Sequence, residues 1–307
     1  MTKIGIISYE VYVPHGRVKV LDLAKENGMD PKSVLALGIE TRSVNESHED
    51  TITMAVESCI KAFDRVDKKT IGALFFGSET HPYAVKPSAT VVSGLLDLPE
   101  ELACADIEFA CKGGTAAMQI VYNYVKAGSI EAGVAIGSDV GKGSPSDILF
   151  YSASSGAATF VIGKSDNVIA EIIDTISITS DTPDFWRAEG EEFPSHTGRF
   201  SAHSYETHIM TTVQKILLRN NLTPSEFAHV VLHMPNGKIP KTVAKKIGFT
   251  EKQLNAGFIV KEIGNTYSAQ TLIGLASALD SAKKDDLILV CSYGSGAGSD
   301  AFIIKKL

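Results

Sequence analysis

The chain has 307 residues, of which 44% are hydrophobic, and a formal net charge of −7 at pH 7. This length and composition fit a globular protein with one large domain or two packed halves. The acidic balance, without clustered arginine and aromatic residues, argues against a nucleic-acid-binding protein. No apolar run reaches the length of a membrane span and the N-terminus lacks a signal-peptide pattern, so we expect a cytoplasmic protein with no membrane contact.

Short apolar segments rich in β-branched residues alternate with segments of helical periodicity along the chain. The segments that predict strands are, in chain order, IGIIS, GALFFG, GVAIG, ATFVIG, VIAEII, HVVLH and LILVCSYG. Helical patterns lie at residues 51–65, 88–97, 114–127, 204–220 and 268–282. This alternation is typical of a layered α/β fold.

The chain also contains an internal repeat with an offset of 154 residues. The segment CIKAFDRVDKKTIGALFFGSE falls on VQKILLRNNLTPSEFAHVVLH, and both predict a helix, a polar loop and a buried strand. Two further pairs match in the same way: GGTAAMQIVYNYVKAG with YSAQTLIGLASALDSA, and GVAIGS with LILVCS. The repeat predicts two duplicated halves, which we place at residues 1–164 and 165–307.

The same offset places Glu79 on His233 and Cys111 on Asn265. If the two halves pack about a pseudo-twofold axis, equivalent strand ends converge on one cleft. The repeat therefore predicts a single site with a thiol, a carboxylate, an imidazole and an amide. It breaks after Asp139, where the first half carries the insertion VGKGSPSDILFYSA, and we expect this insertion to make a dimer contact or to roof the site.

The cysteines have irregular spacing, which fits neither a disulfide framework nor a zinc module. They are Cys59, Cys104, Cys111 and Cys291. Three are interpreted as small buried hydrophobic residues. Cys111, in DIEFACKGGTAAM, differs because it lies just before a predicted buried helix, whose N-terminus favours the thiolate over the thiol. Gly113 and Gly114 would let a ligand approach the backbone closely.

The other three polar residues also have structural interpretations. Glu79 ends an apolar strand, either as a paired structural acid or as a base whose pKa is raised by partial burial. His233 fits a hydrogen-bonded core histidine, and Asn265 fits the cap of the following helix. Their shared positions in the repeat favour a common site.

Two segments suggest contacts with anions. GSGAGS at residues 294–299 lies between two strands and lacks the GK[ST] and the helix of a phosphate-binding loop. We predict instead a tight turn, with Gly294 and Ser295, whose backbone N–H groups stabilise an oxyanion together with that of Cys111. Most lysines of NGKIPKTVAKK are expected to form a solvated face, and Lys238, Lys241 and Lys246 are the candidates for binding ligand phosphates.

Several segments together resemble the 3-hydroxy-3-methylglutaryl-CoA (HMG-CoA) synthase family, in particular its archaeal-type branch, over essentially the whole chain. They are FACKGGTAA, GSETHPYAVKP, TSDTPDFWRAEGEEFPSHTGRFS, HMPNGKIP, GNTYSAQTLIGLASAL and SYGSGAGSDAF. The cysteine, the histidine and the GN-type asparagine are shared with ketoacyl synthase III and other condensing enzymes. The glutamate of GSET and the PDFWR…GRFS segment are typical of the synthases.

The resemblance implies a thiolase fold, with two duplicated α/β halves in a five-layered αβαβα arrangement, and a homodimer or larger homo-oligomer. It implies that Cys111 is acetylated by acetyl-CoA and that Glu79 removes a proton from the acetyl methyl group. His233 would orient and protonate the ketone oxygen of acetoacetyl-CoA, and Asn265 and Tyr267 would belong to the substrate-binding region. Water would then release HMG-CoA, an intermediate of the mevalonate pathway of isoprenoid biosynthesis, without a metal or a cofactor.

The resemblance also makes an acetoacetyl-CoA thiolase, held through a small OB-fold scaffold protein, a candidate partner. Loops that cover CoA in longer members of the family are expected to be absent. Two alternatives remain open. One is another condensing or acyl-transfer enzyme of the same fold, and the other is a catalytically inactive subunit that organises a thiolase complex.

Overall fold

The computed structural model describes residues 2–307, apart from the side chain of Arg199. Its strands within that range are β1 (Lys3–Tyr12), β2 (Gly16–Lys19), β3 (Thr41–Val44), β4 (Ile71–Gly77), β5 (Ala103–Ile107), β6 (Ala132–Asp139), β7 (Gly156–Ser165), β8 (Ala170–Thr179), β9 (Phe185–Trp186), β10 (Ser195–His196), β11 (His229–Leu232), β12 (Leu287–Cys291) and β13 (Gly298–Lys306).

The α-helices of the same range alternate with these strands, as the sequence predicts. They are α1 (Val20–Glu26), α2 (Pro31–Leu35), α3 (Thr51–Ala62), α4 (Ser88–Leu95), α5 (Gly113–Lys126), α6 (Arg199–Asn220), α7 (Ile239–Ile247), α8 (Glu251–Asn255), α9 (Val260–Ile263) and α10 (Gln270–Ser281). The helix predicted at 204–220 begins at residue 199 in the structure. The sequence pattern misses its first residues because they are mostly exposed and lack an apolar period.

Nine of the strands described form one sheet in the order β11-β12-β13-β8-β1-β7-β6-β4-β5. The order is symmetric about the antiparallel β8–β1 pair, so that β4, β6 and β7 correspond to β11, β12 and β13. The two halves predicted from the repeat are therefore present. The proposed boundary between residues 164 and 165 lies near the end of β7 and stays a prediction.

The helices and the sheet form five layers. The sheet contributes two of them, one from each half, and helices form the other three. Apolar side chains of α3 and α4 pack on the outer face of β4, β6 and β7, and those of α6 and α7 pack on the outer face of β11–β13. Between the two halves, α5 and α10 share one core with the inner faces of β7, β12 and β13. The strands between helix layers are buried on both faces along most of their length, which explains the nearly continuous apolar runs of β4, β6, β7, β12 and β13. The αβαβα arrangement expected from the resemblance is thus confirmed.

The start of α5 lies unusually close to neighbouring backbone. A Cβ atom on Gly77 would lie 2.0 Å from the carbonyl carbon of Gly113, and one on Gly114 would lie 2.6 Å from the carbonyl oxygen of Ser268. The expectation that Gly113 and Gly114 admit a ligand is therefore wrong, since protein backbone occupies that space. These contacts fix the helix that follows Cys111 between β4 and the second half.

Among residues 2–307, no helix is long and apolar enough to cross a membrane, and no group of three His, Cys, Asp or Glu side chains fits a metal ion. All four cysteines are free. Cys59 and Cys291 are fully buried as predicted, whereas Cys104 is partly exposed because β5 lies at the edge of the sheet. The cytoplasmic location stays a prediction.

Candidate active site

Cys111 lies in a tight turn between β5 and α5. The turn is held by backbone bonds from Lys112 N to Phe109 O (3.2 Å) and from Gly113 N to Ala110 O (3.0 Å). Ala110 has a φ of +45°, a left-handed conformation that is uncommon for a residue with a side chain. Strain of this kind tends to cluster at functional sites, and here it directly precedes the candidate nucleophile.

The structure brings the four residues predicted from the repeat to one place. Cys111, His233 and Asn265 line a cavity of about 440 Å³ whose wall is mainly apolar. Glu79 lines a smaller, adjoining cleft of about 150 Å³. The Cys111 thiol and the Glu79 carboxyl are close enough for each to shift the pKa of the other. Tyr267 and the 294–295 turn lie between the two spaces, because Tyr267 and Ser295 line both.

Glu79 is positioned by Asp139, a residue to which the sequence analysis gave no role. Asp139 Oδ1 accepts hydrogen bonds from Glu79 N (2.8 Å) and the Thr80 hydroxyl (2.7 Å), and its Oδ2 accepts from Ser268 N (2.8 Å). The carboxylate thereby links the loop after β4 to the loop before α10. The sequence feature that could have indicated Asp139 is its position as a polar residue at the end of the buried strand β6.

Burial raises the pKa of the Glu79 carboxyl to about 8, and the nearby negative charge of Asp139 adds to this effect. The guanidinium of Arg187, which donates to Glu79 O (3.1 Å), acts in the opposite direction. The Oε1 atom of Glu79 is buried without a hydrogen-bond partner in the described part of the chain. A carboxyl group of this kind is not a paired structural acid but a group poised to exchange a proton near neutral pH.

The resting state of Cys111 differs from the sequence expectation. Burial raises the pKa of its thiol well above the ordinary value, and the Glu79 carboxylate raises it further. Burial and Glu79 therefore favour the thiol over the thiolate. This direction is opposite to the predicted stabilisation of the thiolate.

His233 follows β11, and its backbone N–H donates to Cys291 O (2.9 Å). Burial lowers the pKa of its imidazole to about 3, so the ring is neutral at physiological pH. Its Nδ1 atom is buried and has no hydrogen-bond partner among the described residues. The interpretation as a hydrogen-bonded core histidine therefore does not apply to Nδ1, and the residue lines the cavity of about 440 Å³.

Asn265 combines both roles that the sequence left open. Its Oδ1 accepts from Tyr267 N at 3.0 Å, which caps the turn leading into α10, while the residue also lines the cavity. Because Oδ1 is already used, the amide can offer N–H donors to a ligand oxygen. Tyr267 donates its hydroxyl to Lys142 O (2.6 Å) and has a left-handed φ of +50°.

The GSGAGS segment forms a tight turn between β12 and β13, as predicted. Gly294 N donates to Gly298 O (2.8 Å), and Gly296 has the positive φ that such a turn requires. Ser295 lines the cavity beside Cys111. The turn therefore lies where an oxyanion formed on a Cys111 thioester would need donors.

The insertion after Asp139 forms part of the cavity wall through Ile148, Leu149 and Ser152. It is attached to the β9–β10 hairpin by His196, whose Nε2 lies 3.0 Å from Asp147 Oδ2. Of the two roles expected for the insertion, this position fits the covering of the site. No pattern in the sequence indicates the His196–Asp147 pair, because its members lie on segments that are far apart in the chain.

The three candidate phosphate-binding lysines lie outside the cavity lining. Lys246 pairs with Glu206 at 2.6 Å, and Lys241 lies over the ring of Phe258. Lys238 is exposed at the start of α7, next to the lining residue Ile239. Their role in binding CoA stays a prediction.

Solved structures similar to this chain cover nearly all of it. An HMG-CoA synthase complexed with CoA matches with a TM-score of 0.92 and 25% identity, over 99% of this chain and 82% of that one. The β-ketoacyl-[acyl carrier protein] synthase III of Thermus thermophilus matches with a TM-score of 0.89 and 19% identity, over 98% of both chains. The fold and the buried cysteine at the junction of its two halves define an acyl-condensing enzyme of the thiolase class.

Sequence comparisons show which family of this class the chain resembles. The family model described as hydroxymethylglutaryl-coenzyme A synthase N terminal matches residues 1–170, and that of 3-oxoacyl-[acyl-carrier-protein] synthase III C terminal matches residues 217–306. The hydroxymethylglutaryl-CoA synthases of Methanosphaera stadtmanae and Archaeoglobus fulgidus are 48% and 47% identical, over 98% of this chain and 88% and 89% of their own lengths. The chain belongs to the hydroxymethylglutaryl-CoA synthase family.

Proposed function

We propose that the protein condenses acetyl-CoA with acetoacetyl-CoA and water to HMG-CoA and free CoA, through an acetyl group on Cys111, as a step of the mevalonate pathway. Family membership supports the overall reaction. The observation that carries the assignment of residues is the electrostatic coupling of Cys111 with the buried Glu79 carboxyl, beside a cavity lined by Cys111, His233 and Asn265.

In the first step, Cys111 Sγ attacks the carbonyl carbon of acetyl-CoA and the bond to the CoA sulfur breaks. The thiol proton ends on the departing CoA, which leaves as a neutral thiol. Negative charge develops on the thioester oxygen during the attack, and backbone N–H groups of Cys111 and Ser295 are the proposed donors. Removing one such donor typically lowers the rate by about 10²- to 10³-fold.

In the second step, the Glu79 carboxylate removes a proton from the methyl group of acetyl-Cys111. A base is most effective when its pKa lies near the working pH, and the pKa of about 8 for Glu79 meets that condition. Acetylation removes the thiol proton of Cys111, whose interaction with Glu79 lowers the pKa of the carboxyl. The carboxyl of the acetyl-enzyme therefore keeps a raised pKa.

The enolate carbon then attacks the ketone carbon of acetoacetyl-CoA, and the ketone oxygen becomes an alkoxide. His233, as a neutral ring, donates a hydrogen bond to this oxygen, much as an uncharged imidazole polarises a carbonyl in other enzymes. The alkoxide takes up one proton, which balances the proton that Glu79 removed. Water finally cleaves the Cys111 thioester and regenerates the thiol, releasing the carboxylic acid of HMG-CoA.

The cavity supports a long substrate arm with a reactive end. Its volume of about 440 Å³ and largely apolar wall suit the pantetheine chain of CoA, with Asn265 N–H groups available for the acetoacetyl thioester. We propose that Lys238, Lys241 and Lys246 contribute positive charge near the CoA phosphates. No metal or redox cofactor is needed for the proposed steps.

The assembly and location of the protein are further parts of the proposal. The edge strand β5 is partly exposed along its whole length, which favours association of two copies in a homodimer or larger oligomer. An acetoacetyl-CoA thiolase, joined through a small OB-fold scaffold protein, is the proposed supplier of substrate. A cytoplasmic location is consistent with these partners.

The test supplies acetyl-CoA and acetoacetyl-CoA together and identifies the product by mass. Formation of HMG-CoA by the wild type, and its loss in Cys111→Ala, is the expected result. A longer β-keto product would instead favour a ketoacyl synthase III-like activity, to which the C-terminal family match gives some weight. Absence of an acetyl adduct on the intact protein would point to an inactive scaffold subunit.

A further inference from the structure

A buried ion pair lies directly behind the candidate nucleophile. Lys112 follows Cys111 in the chain, and its Nζ lies 2.8 Å from Asp300 Oδ1, with the two side chains only 3% and 0% exposed. The ammonium group also lies 3.6 Å from the centre of the Phe109 ring. The steps proposed above use neither Lys112 nor Asp300.

The pair joins the two halves of the molecule. Lys112 belongs to the turn before α5, whereas Asp300 lies on β13 in the second half. Asp300 Oδ2 also accepts from the Thr115 hydroxyl in the first turn of α5 (2.9 Å), and that hydroxyl shares a hydrogen bond with Ser292 Oγ (2.6 Å). The start of α5 is therefore held to β13 and to the residue that follows β12, one on each side of the 294–295 turn.

The aliphatic part of Lys112 contacts that turn as well. A Cβ atom on Gly294 would lie 2.9 Å from Lys112 Cγ and 2.7 Å from Phe109 O, so the turn rests on the lysine stem and on the nucleophile loop. The proposed oxyanion donors are the N–H groups of Cys111 and Ser295. In the chain, Cys111 directly precedes Lys112 and Ser295 directly follows Gly294. Each donor is therefore next to one of the two residues in contact.

Stability alone gives a weak reason for burying such a pair. Taking two charges out of water is costly, and apolar residues of similar volume often stabilise a fold equally well. We propose that Lys112, anchored by Asp300, is a positioning residue that fixes the Cys111 backbone relative to the Gly294–Ser295 turn. The inference rests on the proposed function, because it concerns the oxyanion formed in that reaction.

The experiment compares Lys112→Met, Asp300→Asn and the double variant. Each single variant leaves one buried group without its charged partner, so we expect both to lower the midpoint of thermal unfolding. The double variant removes both charges and restores much of that midpoint. We expect its kcat to stay about 10- to 100-fold below wild type, because misplacing a catalytic group by about 1 Å has an effect of this size.

The Michaelis constant for acetyl-CoA separates positioning from general damage, since neither residue lines the cavity, and we expect it to change little. The matched control is Lys305→Met with Asp285→Asn, a pair with the same 2.8 Å separation on the surface, which we expect to leave kcat unchanged. A double variant with restored stability and wild-type kcat would overturn the inference alone. If the wild type makes no HMG-CoA, the proposed function fails first, and the inference fails with it.

Discussion

Replacement of Glu79 by glutamine tests whether this carboxyl is a base or a structural acid. In the structure its pKa is raised from 4.5 to about 8, mainly by burial and then by the charge of Asp139. The folded protein therefore disfavours the ionised carboxylate that a catalytic base requires. Glutamine has a similar shape and no charge. It therefore removes the unfavourable buried carboxylate, and it also removes the group that would act as the base.

The sign of the effect on stability follows from the two pKa values. Below pH 4.5 the carboxyl is protonated in both the folded and the unfolded protein, and its favourable contribution is fully present. Above pH 4.5 the carboxyl of the unfolded protein loses its proton, while the folded protein still holds it. The contribution to stability is lost as the pH rises through about 8, where the folded protein ionises as well. The wild type therefore loses stability over this range, whereas Glu79→Gln does not.

The magnitude can be bounded. The difference between 4.5 and about 8 corresponds to at most about 5 kcal/mol. Because Glu79 is partly exposed, we expect a gain of about 2 kcal/mol in the free energy of unfolding of Glu79→Gln at pH 9, relative to wild type. Near pH 4.5 the two proteins should be equally stable.

Urea unfolding at both pH values measures this difference, with the exposed Glu101→Gln as the control that should show none. Activity provides the second readout. We expect Glu79→Gln to accept an acetyl group on Cys111, detected by intact mass, and to form no HMG-CoA. A variant that is less stable than wild type at pH 9, or that retains full condensation, would refute the assignment of Glu79 as the base.

Three further predictions concern the surroundings of the site. The guanidinium of Arg187 lowers the pKa of Glu79, so Arg187→Met should move the acidic limb of the pH–kcat profile to higher pH by less than about one pH unit. Arg187→Lys keeps the positive charge and should move this limb less. His233→Ala should lower HMG-CoA formation by about 10²- to 10⁴-fold while the acetyl-enzyme still forms, and equal loss of both steps would contradict its proposed role. Gly77→Ala should lower the free energy of unfolding by about 3 kcal/mol, since its Cβ would overlap the start of α5, whereas Gly94→Ala in open space should not.

Several features of the fold follow from local sequence. The apolar runs and helical periods predict the strands and helices because each reflects which faces of an element are buried. The 154-residue offset carries long-range information as well, since duplicated halves place equivalent strand ends together. This is why Glu79, Cys111, His233 and Asn265 could be predicted to share one site before any distance was known.

The tertiary structure decided the chemical state of those groups. The sequence places Cys111 before a helix, which favours a thiolate, but its pKa depends on burial and on Glu79, which lies far from it in the chain. Asp139 and the buried Lys112–Asp300 pair were likewise found only in the structure. Each acts across the junction of the two halves.

The sequence by itself thus determined most of the elements, the duplication and the candidates for the reacting groups. Only the tertiary structure decided which groups carry protons, which surfaces enclose the cavity and which backbone segments lie in contact. The physical reason is that periodicity records burial one element at a time. Desolvation and charge interactions depend on all the groups that folding brings around an atom.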